Sequence, residues 1–136
     1  PMSAAAGAVA LNLVATQPIN ARADANAKRL KEGLNHLLAK MEIPGCVSGV
    51  ASIVDVKIGK PCDCDREVCT MAYDDIRYCH RPEFVTPLRR ALINEGMDAT
   101  RGSLLLVSAA HTDKDIDDTV SAFEKGLSAM RNENLV

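Results

Sequence analysis

Apolar residues near the C-terminus return at helical intervals. Ile116, Val120, Phe123, Leu127 and Met130 are spaced by four, three, four and three, which makes one stripe on a helix. Thr112 is placed to cap that helix with its hydroxyl, and Asp115 to reach back in a variant of the capping box. Acidic Asp113, Asp115, Asp117 and Asp118 come early, while Lys125 and Arg131 come late, as the helix dipole prefers. Ahead of it, Leu104-Leu105-Leu106-Val107 is too short for a helix and reads as a buried strand. A one-sided helix fed by a strand is expected to lie on a sheet.

The same reading applies upstream. Ala23, Ala27, Leu30, Leu34, Leu37, Leu38 and Met41 form a second stripe, with Arg22, Lys28, Arg29, Lys31 and Glu32 expected on the solvated side. Gln17-Pro18 breaks the chain before it, and Asn20 is the expected cap. His36 lies beside the stripe, where a histidine is expected to be a surface residue. A third helix is expected over residues 84–95, with Phe84, Leu88, Ala91, Leu92 and Ile93 apolar. Thr86 is its expected cap, Pro87 lies in its first turn and Gly96 stops it. Residues 50–58 alternate as a strand, with Val50, Ser52, Val54, Val56 and Ile58 on one face and Asp55 and Lys57 on the other. Pro44-Gly45 reads as a turn and Gly49 as a bend.

Residues 2–16 break the pattern. Ala4, Ala5, Ala6, Ala8, Val9, Ala10, Leu11, Leu13 and Val14 leave a helix apolar nearly all round, which must be buried on several sides. The rest of a 136-residue chain has only one-sided helices and a small sheet to cover it. Packing on a partner or another domain is therefore expected. The stretch is shorter than the roughly 20 apolar residues a membrane span needs, and it lacks the basic start of a signal peptide. The order of elements predicts an α+β fold, a small antiparallel sheet covered by helices.

Composition narrows the functional classes. The net charge of -2 and the 3% aromatic content offer neither a basic surface nor a stacking platform for nucleic acid. Five cysteines, most of them in the loop 61–81, point to reduced thiols in a cytoplasmic setting. That loop also carries Asp63, Asp65, Arg66, Glu67, Asp74 and Asp75 and reads as a solvated insertion. Cys62, Cys64 and Cys69 could ligate zinc, but structural sites usually begin with cysteines two to four residues apart. A single residue separates Cys62 from Cys64, so these thiols are expected to be metal-free. No phosphate loop, nucleophile elbow or His-Glu zinc motif is present. His111, just before a helix, reads as turn chemistry.

Two stretches carry a resemblance. Residues 107–117, Val-Ser-Ala-Ala-His-Thr-Asp-Lys-Asp-Ile-Asp, resemble the end of class III pyridoxal-phosphate aminotransferases, most of all the glutamate-1-semialdehyde aminomutase branch. Pro1-Met2-Ser3-Ala4-Ala5-Ala6-Gly7 is similar to the Asn-Pro-(Leu or Met)-Ser-x-Ala-Ala-Gly segment that follows the cofactor lysine there. The resemblance covers nearly the whole chain but only about the last third of a family member. It implies the C-terminal small domain of a fold-type I enzyme over 18–136, with 1–17 a bridging helix docked on a large domain. It also implies a homodimeric parent enzyme acting on small amino and keto substrates.

None of Lys28, Lys31, Lys40, Lys57, Lys60, Lys114 and Lys125 stands in the context of the cofactor lysine. The resemblance therefore assigns this chain no catalytic residue and no pyridoxal-phosphate contact of its own. It implies a domain that closes the site and helps select substrate. The family carries a Phe-Glu-Ala type sequence before the last strand, where this chain has Gly102-Ser103-Leu104. That departure removes a carboxylate and leaves Arg101 and Ser103 as the expected substrate-binding residues, Arg101 pairing with a carboxylate. The alternative is a free-standing, non-catalytic assembly module that uses the Ala-rich helix to dock.

Overall fold

The computed structural model describes residues 1–64 and 67–136; Asp65 and Arg66 of the expected solvated loop lie outside the described residues. Helix α1 (Met2–Thr16) leads into α2 (Ile19–Lys40), followed by strands β1 (Gly45–Ser48) and β2 (Ile53–Ile58). Helices α3 (Tyr73–Cys79) and α4 (Pro82–Asn94), strand β3 (Leu104–Leu106) and helix α5 (Asp113–Asn132) complete the order. The strands form one antiparallel sheet in the order β1-β2-β3. This is the α+β architecture that the pattern predicts.

The core lies on one face of the sheet. Val47, Val54, Val56, Ile58 and Leu105 meet Leu30, Leu34, Leu37 and Leu38 of α2, all buried. Helix α5 packs chiefly across α2 and α4 rather than on the sheet, because three short strands offer room for little more than α2. Its stripe is buried at Ile116, Phe123, Leu127 and Met130, and the Thr112–Asp115 capping box is formed. Asn35 of α2 bonds Val47 on β1: its Oδ1 accepts from Val47 N–H at 3.0 Å and its Nδ2 donates to Val47 C=O at 2.8 Å. The side chain thereby occupies a stretch of the sheet's open edge.

Several local expectations differ from the structure. The strand expected over 50–58 begins at Ile53 and is the second half of a hairpin, whose first half, Gly45–Ser48, falls between the expected turn at Pro44-Gly45 and the expected bend at Gly49. Four residues are too few for periodicity to declare themselves. Gly49, at φ +149°, makes the turn, and a Cβ there would lie 2.1 Å from the Ile53 carbonyl. β3 is an edge strand rather than a buried one, so Leu105 is enclosed while Leu106 is 62% exposed. Helix α3 lies inside the expected loop, where seven residues hold too little apolar pattern to announce a helix.

Helix starts also move. α2 begins at Ile19 with Pro18 before it, so Asn20 lies inside the helix and does not cap it. α4 begins at Pro82, and Thr86 and Pro87 fall within it. Pro82 takes the first helical position, where its missing N–H costs nothing. Lys31, expected in solvent, is 8% exposed and donates from Nζ to the Gly49 carbonyl at 2.6 Å.

Helix α1 buries none of its residues. Leu11 is 73% exposed, Val9 61%, and the helix leaves α2 at 75°. Among the described residues, no single helix is long and apolar enough to cross a membrane. Leu34 and Leu11 should thus behave oppositely on truncation in this chain. Leu34→Ala is expected to cost about 2–5 kcal/mol in urea denaturation, whereas Leu11→Ala should stay within about 0.5 kcal/mol.

Candidate functional site

Antiparallel register puts directly opposed residues on the same face of a sheet. Cys46 opposes Lys57, Ser48 opposes Asp55, and Asp55 opposes Leu104, so the face turned away from the core is polar. That face is not open to solvent. α3 and the loop before it cover it, and Lys57 is only 4% exposed. A buried ammonium needs partners. Lys57 Nζ donates to Ser48 Oγ at 2.8 Å and pairs with Asp55 Oδ2 at 2.7 Å. His80, at the C-terminal end of α3, places Nε2 2.9 Å from Asp55 Oδ1. Burial by itself pushes the Asp55 carboxyl up, but hydrogen bonds from His80 and Lys57, together with their charge, more than offset it and hold it below its ordinary range.

Beside this network lies a cavity of about 380 Å³ lined by Asp55, His80, Val85, Arg101, Ser103 and Leu104. The turn before β3 shapes it. Arg101 and Gly102 both adopt positive φ, 53° and 80°, and a Cβ on Gly102 would come within 2.6 Å of Val85. The turn leaves Arg101 exposed and Ser103 only 5% exposed, with the Ser103 carbonyl accepting from Val56 N–H at 3.0 Å. A second cavity, of about 400 Å³, shares Val85 and Arg101 and adds Thr86, Arg89, Arg90 and Ile93. Arg89 is held by Asp98 at 3.0 Å, whereas Arg101 makes no ion pair among the described residues. An exposed guanidinium at the mouth of a part-polar cavity suits an incoming carboxylate.

Arg101 and Ser103, singled out in the sequence, therefore share one cavity. Asp55 and His80 were not singled out. They are far apart in the chain, and their meeting depends on α3, which carries no clear sequence signal. His111 does the turn chemistry expected of it, accepting from Ser108 N–H through Nδ1 at 2.9 Å, and His36 is exposed. Lys57 is bonded to Asp55 and Ser48 and Lys31 to the Gly49 carbonyl, and among the described residues no lysine lines the cavity. At the far end of the polar face, Cys62, Cys64 and Cys69 of the loop come together with Cys46 of β1.

No protein-family model matches the chain. It is 26% identical over 129 residues to glutamate-1-semialdehyde 2,1-aminomutase of Methanococcoides burtonii, a match spanning 93% of this chain and 28% of that protein. Among solved structures, a glutamate-1-semialdehyde aminomutase from Pseudomonas aeruginosa PAO1 superposes with a TM-score of 0.69 at 15% identity, over 83% of this chain and 24% of its own. The FumI protein of Sphingopyxis sp. MTA144, in its PLP internal aldimine form, gives 0.68 at 18% identity, over 91% and 26%. An omega-transaminase from Sphaerobacter thermophilus gives 0.64 at 20%, over 81% and 24%. The chain resembles the C-terminal portion of the Methanococcoides aminomutase in sequence and of the solved structures in fold, and spans about a quarter of their length.

The depressed Asp55 carboxyl carries a pH signature. The folded state favours the carboxylate, so its contribution is complete above the unfolded value of about 3.9 and is lost as pH falls through the lower folded value. Asp55→Asn should flatten the acid limb of stability below about pH 4. At neutral pH it should cost about 1–3 kcal/mol by stranding Lys57. Urea midpoints measured across that range check both.

Proposed function

We propose that this chain supplies the C-terminal small domain of a pyridoxal-phosphate-dependent aminotransferase or aminomutase, closing the active site and contributing to substrate choice. The observation that carries this reading is the match along 93% of the chain to one contiguous quarter of an aminomutase. The fold likeness supports it. In such an enzyme the cofactor supplies an electron sink for reaction at the amino-bearing carbon. The lysine and phosphate-binding groups that hold it belong outside this chain.

The residues present then have a defined task. Arg101 meets the carboxylate of a small amino or keto substrate with its guanidinium fork. Ser103 lines the same cavity, and Asp55 and His80 make its wall polar. Helix α1 docks through its uncovered apolar surface on the large domain, and the parent enzyme is a cytoplasmic homodimer. A second reading, a free-standing assembly module, draws on the exposure of α1 alone. A reading frame upstream of Pro1 that encodes the cofactor lysine decides between the two.

Three outcomes test the proposal. In the parent enzyme, Arg101→Ala should raise KM for a carboxylate substrate by about tenfold or more, the loss of a charge-assisted bond, with kcat less affected; an unchanged KM refutes the role. Pyridoxal phosphate added to this chain alone should give no borohydride-fixed label on a single lysine and no transamination. For α1, the pair Leu11→Asp and Leu13→Asp should dissociate the assembly in sedimentation before the core of 18–136 unfolds. A wild-type monomer whose own chain protects α1 from hydrogen exchange would contradict the docking role.

A further inference from the structure

We propose that Cys46, Cys62, Cys64 and Cys69 form a closed, four-thiolate zinc site that fastens the loop after β2 to the polar face of the sheet. The four sulfurs all lie within 4.8 Å of one another. Cys46 Sγ is 3.9 Å from Cys69 Sγ, and Cys62 Sγ is 3.8 Å from Cys69 Sγ. A tetrahedral zinc ion with Zn–S bonds of about 2.3 Å places its sulfurs about 3.8 Å apart. A disulfide instead joins two sulfurs at about 2.05 Å. Here one sulfur approaches two others at similar distances, which is convergence rather than pairing.

The spacing that counted against a metal concerned the loop alone. A Cys-x-Cys pair is a poor start for a site whose ligands must all come from neighbouring residues. The fold removes that requirement by bringing a ligand from β1. Cys46 is 3% exposed and held in the ladder opposite Lys57, so its sulfur is fixed by the hairpin before any ion arrives. The loop is drawn in beside it, and the Gly49 N–H donates to the Glu67 carbonyl at 3.2 Å. Cys62 and Cys64 lie on one side of that tie and Cys69 on the other. Residues 59–64 and 67–72 form neither helix nor strand, and Val68 is 62% exposed, so apolar burial does little to place this segment.

The chemistry of the donors selects the ion. Four soft thiolates in tetrahedral array suit zinc, and with every position filled the site is structural rather than catalytic. Binding deprotonates the four thiols. Four thiols and one Zn²⁺ give one tetrathiolate complex of charge -2 and release four protons. Lys57, opposite Cys46, is the nearest buried cation along the register. Cys79 is buried elsewhere under the face and is not one of the converging four.

The site is independent of the aminotransferase reading, and its test needs no activity. The 136-residue chain, expressed in zinc-replete medium and purified without chelator, is expected to contain one zinc per chain by elemental analysis. Exchange for Co²⁺ should produce thiolate-to-cobalt charge transfer and the visible bands of a tetrahedral centre. Cys46 is buried in the hairpin, so its replacement perturbs folding as well as binding, and the loop variants Cys62→Ser and Cys64→Ser decide. Each should stay folded by circular dichroism and lose zinc affinity by more than the roughly 10–100-fold that an outer-shell partner costs. Cys79→Ala should keep the full zinc content. Metal-free protein in which Cys46, Cys62, Cys64 and Cys69 are all alkylatable, a disulfide among the four, iron in place of zinc, or full zinc retention in both loop variants overturns the proposal.

Discussion

Burial of the α2 stripe against the inner face of the sheet is the contact on which the remaining structure depends. Three short strands cannot support themselves in water, since an isolated hairpin is marginal. α2 supplies the missing layer with Leu30, Leu34, Leu37 and Leu38, and Asn35 ties the same helix to the backbone of β1. Once α2 is seated, its outer flank and α4 form the bed for α5. Gly33 allows α5 to come so close that a Cβ there would meet Val120 at 2.9 Å. Arg29, 2.7 Å from Asp113 and 2.8 Å from Asp117, links α2 to the acidic start of α5. These exposed pairs fix orientation more than they stabilise.

A sheet with one face committed to the core leaves the other to be used. Here that face is charged and covered, a combination that demands pairing. The Ser48–Lys57–Asp55–His80 chain meets the demand, and no buried side-chain polar atom lacks a partner among the described residues. The same covered face runs from the cysteine cluster at one end to the Arg101 cavity at the other. The first is suited to fixing a loop and the second to receiving an anionic group. Both are consequences of laying α3 and its preceding loop over β2.

Helix α1 stands apart from this economy of faces. It contributes nothing to the core, yet its composition is the most apolar in the chain. An uncovered apolar helix of this kind is the surface on which the proposed docking rests.

The amino-acid sequence by itself determined the elements whose signal is local and repeated. The stripes of α2 and α5, the Thr112–Asp115 box and the all-round apolar character of α1 are properties of residues three and four apart, and the fold preserves each of them. Its motifs also pointed to the aminomutase and transaminase relatives. Tertiary structure decided what depends on distant pairing. β1 is four residues long and is a strand only because β2 and Asn35 bond it. Asp55 and Lys57 alternate like solvent-facing residues and are enclosed only because α3 folds over them. Cys46 joins Cys62, Cys64 and Cys69 only through the register of a hairpin. Periodicity reports which side of an element is apolar; what comes to lie against the other side is set by the packing of the whole chain.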